Sequence, residues 1–272
     1  MIKLLIKDIA NWDRNDKNFP FMRYFDLYEG HSWANGGAFT SFSVHGPNQE
    51  SVTEAINAWV ALILWGEITQ DETIRDLGIF LYTTEVQAAL EYWFDVYREN
   101  FPKAYVNVGC SQVWGAKIAH TTWWTEEYTQ TKGINMLPLT GGSLFFSRFP
   151  DFVERNLNEL YNKVGTKITI WSDIIAMYQA FTDPDKAMQI WDESYPPEFG
   201  NSPAKTYHWI ENLKELGKID PTVVANTTFY SVFNKNGKKT YVVYNASSTN
   251  ITVRFSDGKV VNVLPFKMVV EK

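Results

Sequence analysis

Two glutamates one helical turn apart, Glu50 and Glu54, are the residues of this chain best placed to do chemistry. Residues four apart on a helix share a face, and two like charges there repel by about 0.2–0.5 kcal/mol, so an ordinary surface helix gains nothing from the pair. A site that needs a carboxylate base beside a second carboxylate does gain. Like-charge proximity raises the proton affinity of one group, and the other can orient a water or bind a substrate. Glycoside hydrolysis uses carboxyl groups in this way. In its inverting form an acid protonates the leaving oxygen and a carboxylate roughly 6.5–9.5 Å away activates water. A structural reading competes for Glu54, because Ser51 three residues earlier completes a Ser-x-x-Glu capping box.

The segment just upstream, Gly30-His31-Ser32-Trp33-Ala34-Asn35-Gly36, offers a ring nitrogen, a hydroxyl and a flat apolar face. Gly30 on one side and Gly36 and Gly37 on the other would let the backbone approach a ligand. The competing reading has His31 bonded to a loop carbonyl and Trp33 filling core. Asp26 is a further carboxylate on this loop, whereas Asp8, Asp13 and Asp16 read as caps and solvated turn residues. His208, in Thr206-Tyr207-His208-Trp209 at the start of a helix, could face the same mouth. Trp114, Trp123 and Trp124 are candidate platforms for a sugar ring, while His45 and His120 say little.

Helices must carry most of these residues. Residues 1–11 are amphipathic, with Ile2, Leu5, Ile6 and Ile9 near helical spacing. A long Asp-, Asn-, Gly- and Pro-rich connection over 12–48 is of the kind that is usually functional. Helical patterns follow at 49–66 (ending at Gly66), 69–82, 84–99, 150–163, 168–181, 184–193 and 203–216, with Asp183-Pro184 as a start signal. After Gly217 the pattern becomes short, β-branched and period two. Asn236-Gly237 and Asp257-Gly258 mark hairpin turns, which predicts a small antiparallel sheet. The expected architecture is mainly α: a helical toroid over 1–217 built from antiparallel helix pairs, with a C-terminal β element over 218–272.

Composition narrows the function. A net charge of −6 argues against nucleic acid or an anionic membrane as partner, and no apolar run approaches the ~18 residues of a membrane span. Cys110 is the single cysteine, and no Cys/His cluster has zinc spacing. Neither a metal nor a cofactor is expected, since phosphate-loop and dinucleotide fingerprints are missing, as is a nucleophile elbow. Eleven Trp, fourteen Tyr and eighteen Phe suit either a large helical core or a carbohydrate cleft where sugar faces pack on rings.

Taken in order, a set of short runs resembles glycoside hydrolase family 81. They are Ile9-Ala10-Asn11, Arg23-Tyr24-Phe25-Asp26, Gly30-His31-Ser32-Trp33-Ala34, Asn48-Gln49-Glu50-Ser51 with Glu54-Ala55-Ile56-Asn57-Ala58, Leu64-Trp65-Gly66, Gly133-Ile134-Asn135-Met136-Leu137-Pro138, Trp171-Ser172-Asp173-Ile174-Ile175 and Thr206-Tyr207-His208-Trp209-Ile210. Each run is weak, but the ordered set is specific and spans nearly the whole chain. The resemblance implies inverting endo-β-1,3-glucanase activity on laminarin, curdlan or fungal cell-wall glucan, and part of an (α/α)6 barrel. It places the base at Glu50 or Glu54, and location alone makes Asp26, His31, Trp33, Asn48, Gln49, Trp114 and His208 the candidate substrate contacts. It also implies an extracellular or cell-wall location, although residues 1–16 do not read as a secretory signal.

One departure matters. The family's general acid is an aspartate in an Asp-His-His-Phe-His-Tyr-Gly-Tyr motif, and that motif does not occur in this chain. The expectation is therefore the C-terminal part of a family member, with three explanations open: a split gene with a separate N-terminal half, a reading frame begun at an internal Met, or a decayed remnant. Three functions compete accordingly: a glucan hydrolase that is active when complete, a module that binds β-1,3-glucan without cutting it, and a helical toroid unrelated to carbohydrate.

Overall fold

A computed structural model describes residues 1–34, 46–115 and 117–272. In chain order the elements are α1 (Ile2–Ala10), β1 (Phe25–Asp26), β2 (His31–Ser32), β3 (Asn48–Gln49), α2 (Val52–Thr69), α3 (Glu72–Tyr92), β4 (Gln112–Trp114), β5 (Ile118–Ala119) and α4 (Tyr128–Gly133). Two 3-10 turns, Ile134–Met136 and Gly141–Arg148, lead into α5 (Pro150–Val164), α6 (Ser172–Gln179), α7 (Pro184–Ile190) and α8 (Pro203–Leu216). The chain closes with β6 (Lys218–Ile219), β7 (Tyr230–Lys235), β8 (Lys238–Tyr244), β9 (Ile251–Arg254), β10 (Val260–Val263) and β11 (Met268–Glu271). The fold is mainly helical, with small antiparallel sheets β1-β2, β3-β4-β5, β11-β8-β7-β6 and β10-β9 among the described residues.

The hairpin of α2 and α3 frames the site. Trp59 and Leu62 of α2 face Ile74, Leu77 and Leu81 of α3 in a core that α1 caps with Ile6 and Ala10. The turn between the helices is tight: Gln70 takes a left-handed φ of 55° to close α2, and Asp71 starts α3 by accepting from the Ile74 amide. Gly66, which the sequence reads as a helix end, lies inside α2. A Cβ there would sit 2.4 Å from the Arg75 amide nitrogen, and one at Gly78 would sit 2.8 Å from that of Ile63. These glycines set how closely the two helices approach.

The expected break between helices 69–82 and 84–99 is not observed; α3 runs unbroken through it. Thr83, between the two expected helices, and Thr84 turn their hydroxyls onto the Ile79 and Phe80 carbonyls one turn back, at 2.8 and 2.7 Å. The helix then ends at Tyr92, earlier than expected, where the Asp95 carboxylate gathers the amides of Glu99, Asn100 and Phe101 into a loop.

At the C-terminal end the Asn236-Gly237 turn joins β7 to β8, with φ of 53° and 82°. The single expected sheet is instead a four-stranded sheet and a separate two-stranded hairpin. They share a core of Val223, Val232, Tyr241, Val243, Val253, Phe255, Val261 and Val263. Ile219 and Phe233 belong to the large helical core, so the β element is anchored by its first strands.

Candidate active site

Glu50 lies between β3 and the first turn of α2, and both flanks are fixed. On one side Asn48 and Gln49 pair with Trp114 and Val113 of β4. On the other, residues 134–140 wrap the start of α2. The Val52 amide donates to Asn135 Oδ1 at 3.1 Å, Ser51 Oγ donates to the Ile134 carbonyl at 3.3 Å, and Thr53 donates to the Leu137 carbonyl. Asn57 Nδ2 donates to the Pro138 carbonyl at 3.0 Å and Thr140 Oγ1 donates to Asn57 Oδ1 at 2.6 Å. The motif Gly133–Pro138 is therefore a cradle for the helix that presents the glutamates.

The capping box is not formed. Ser51 spends its hydroxyl on Ile134 and Leu137 and makes no side-chain cap bond, so Glu54 is left exposed one turn into α2. Glu50 is half-buried and accepts from Gln112 Nε2 at 2.8 Å. Burial holds its carboxyl above the usual range. Gln112 and the indoles of Trp123 and Trp124 oppose that shift, and the charge of Glu54 adds to it. The two glutamates thus sense each other, as their spacing predicts.

Residues far away in sequence complete the surroundings. Trp123 is 77% exposed and Trp124 is tilted against Trp171 at 5.9 Å between ring centroids. Trp171 opens α6 with a left-handed φ of 54° and lies against Gly133. Glu198 is a third carboxyl: burial raises its proton affinity, and the charges of Asp173 and Glu54 raise it further. The buried Asp173 accepts from the Glu198 amide at 3.0 Å and from Asn201 Nδ2 at 2.5 Å, which holds that loop against α6. The sequence marks Trp123 and Trp124 by location only and gives no site signal for Trp171, at the N-cap of α6, or for Glu198, in a loop without a periodic pattern.

Other expected site residues lie elsewhere. His31 is 0% exposed, packed edge-on against Trp33 at 4.4 Å and Trp93 at 4.8 Å, with Nδ1 2.8 Å from the Ser32 carbonyl. Burial lowers its proton affinity, so it is a neutral core histidine and does not reach a substrate. Trp33 packs on the main core and donates to Asp26 Oδ2 at 3.3 Å. Asp26 also takes the Tyr28 and Glu29 amides, which organises the turn. Gln49 is buried and bonded to Ser32, and Asn48 is buried in the β3-β4 ladder, so both frame the site and are closed to solvent. Trp114 lines a hollow of about 310 Å³ with Glu29, Tyr92 and Phe101, and neither Glu50 nor Glu54 is among its lining residues. His208 is exposed on α8 beside Tyr207. Asn35, Gly36, Gly37 and His45 lie outside the described residues. No group of three or more His, Cys, Asp or Glu among the described residues could hold a metal ion, and no described helix is long and apolar enough to cross a membrane.

Comparison with known proteins places this arrangement. The family model "Glycosyl hydrolase family 81 C-terminal domain" matches residues 1–210. A glucan endo-1,3-beta-D-glucosidase of Acetivibrio thermocellus is 54% identical over 271 residues, covering 99% of this chain and 35% of that protein. One of the same name from Thermobifida fusca is 38% identical over 269 residues, covering 97% and 35%. A solved structure of a family 81 glycoside hydrolase from Clostridium thermocellum, in a mutant form, superposes with a TM-score of 0.90 at 53% identity, covering 99% of this chain and 37% of that one. The chain thus spans about a third of the length of these relatives.

Proposed function

The chain belongs to glycosyl hydrolase family 81, and on that premise we propose that it serves the hydrolysis of internal β-1,3-glucosidic bonds in β-1,3-glucan with inversion at the anomeric carbon. Glu50 and Glu54 are the pair that positions and deprotonates the attacking water. The family resemblance supports the reaction, and the names of the relatives support the substrate. The observation that carries the assignment is the state of Glu50. Its carboxyl is half-buried and accepts from Gln112, with the indoles of Trp123 and Trp124 nearby and the exposed carboxylate of Glu54 within electrostatic reach. A base with raised proton affinity takes a proton from water more readily at neutral pH than an ordinary carboxylate does. Trp123, Trp124 and Trp171 offer flat faces beside it on which sugar rings can stack.

In this reading the helices contribute part of an (α/α)6 barrel over residues 1–217, with 218–272 as a β element. The proton donor comes from the portion of the relatives' length that this chain does not span, either upstream in the same protein or in a separate N-terminal half. The substrate implies an extracellular or cell-wall setting. Glu50→Gln and Glu54→Gln in the completed protein test the assignment: each is expected to abolish laminarin hydrolysis while leaving the fold intact, and hydrolysis retained by both would end it.

The exposed Trp123 favours a second reading, a module that holds glucan without cutting it. Laminarin binding and product release by the isolated chain separate the two. Rapid release of short oligosaccharides rules out pure binding, and tight binding with no release favours it.

A further inference from the structure

Behind the two glutamates lies a buried carboxyl that the proposed reaction does not use. Glu85 of α3 is 1% exposed, and its two oxygens serve two different elements. Oε1 accepts from Ser32 Oγ at 2.7 Å, and that hydroxyl oxygen in turn accepts from Gln49 Nε2 at 2.9 Å. Oε2 accepts from the Trp59 indole N–H at 2.5 Å. Gln49 immediately precedes Glu50 on β3, and Trp59 lies on α2 five residues beyond Glu54. Ser32, Gln49 and Trp59 are themselves closed to solvent.

We infer that Glu85 is a positioning residue: one rigid carboxyl, anchored on α3, ties the strand that presents Glu50 to the helix that presents Glu54 and so sets the relation between them. The inference rests on the reading of Glu50 and Glu54 as the working pair. A carboxylate suits this task because both its oxygens only accept, and both neighbours donate. An amide in its place has a single acceptor, so it keeps one arm and turns a donor toward the other. The groups that donate to Glu85 are Trp59 of α2 and Ser32 of β2, both uncharged, and Gln49 of β3 joins them through the Ser32 hydroxyl. Burial pushes its pKa up to about 7, against the pull of Trp59 and Ser32, so the group is kept in a costly place without an ion partner.

Carboxyl-carbon NMR titration of Glu50, alongside kcat and KM on laminarin, tests this in the completed protein, as the wild type, Glu85→Gln, Ser32→Ala and the double variant. Ile74→Val, on the same helix face, is the packing control. The clamp predicts that Glu85→Gln and Ser32→Ala each displace the Glu50 titration midpoint and lower kcat between about 10- and 100-fold. KM changes little, and the double variant does no worse than Glu85→Gln alone. Ile74→Val moves neither readout. A Glu50 midpoint unchanged in Glu85→Gln, or displaced equally by Ile74→Val, overturns the inference. A wild type that cuts no β-1,3-glucan while its Glu50 midpoint still moves in Glu85→Gln defeats the hydrolase reading and upholds the clamp.

Discussion

The region around the glutamates and the C-terminal sheets are both closely packed, but with different materials. From Ser32 to Thr140 the interior is threaded with polar side chains: Ser32, Gln49, Ser51, Thr53, Glu85, Gln112 and Asn135 are all buried and hydrogen-bonded. The C-terminal sheets enclose mostly valines with Tyr241 and Phe255, and keep their charges at the surface. There Asp257 is held at a pKa of about 2 by the Tyr241 hydroxyl and by Lys239, whose ammonium lies 2.9 Å away. Buried hydrogen bonds add little net stability, yet each is costly to leave half-made. An interior built from them fixes directions and spacing, whereas one built from valine supplies cohesion. The contrast assigns geometry to the first region and stability to the second.

Mutations can break that contrast. The largest effect belongs to Glu50→Gln in the completed protein, which should lower kcat on laminarin by roughly 10²–10⁴-fold with no loss in thermal midpoint. A fall in stability matching the fall in rate would erase the distinction. Next comes Lys132, a buried ammonium that binds Glu159 and the Val108 carbonyl and whose pKa burial lowers to about 8. Lys132→Met leaves Glu159 without its cation and should cost about 3 kcal/mol in urea unfolding. Val243→Ala, in the centre of β8, should cost about 2 kcal/mol and leave kcat on laminarin unchanged. A large rate loss there would show that the sheets take part in the site. The smallest effect sharpens the picture of the pair itself. The charge of Glu54 raises the proton affinity of Glu50, so Glu54→Gln should move the Glu50 midpoint, read by carboxyl NMR, to lower pH. A move to higher pH would mean that the two groups do not face each other.

What the sequence disclosed, and what it hid, follows the same division. Periodicity and turn chemistry are local. They foretold the helices at α5, α7 and α8 and the Asn236-Gly237 hairpin, because each depends on residues within a turn or two. The two glutamates were legible because four-residue spacing is itself a geometric statement. Gly66 misled because a glycine that ends a helix and one that lets another helix approach look alike until the partner is known. The expected division at residue 83 fails because Thr83 and Thr84 return their hydroxyls to the backbone and keep the helix. His31 was drawn to the site by its neighbours in sequence, but three surrounding rings and the Ser32 carbonyl enclose it instead. Trp124 reaches Glu50, and Glu198 comes within electrostatic reach of Glu54, across 70 residues and more, which no local pattern reports. Nothing in the sequence marks Glu85, and only the fold shows that it faces inward.

The most direct measurement is a crystal structure of the Glu50→Gln chain soaked with a β-1,3-linked gluco-oligosaccharide. The account predicts sugar rings stacked on Trp123, Trp124 and Trp171, with a glycosidic linkage over positions 50 and 54. Sugar seated only in the hollow beside Trp114, or ordered nowhere on the α2 N-terminal face, would contradict it.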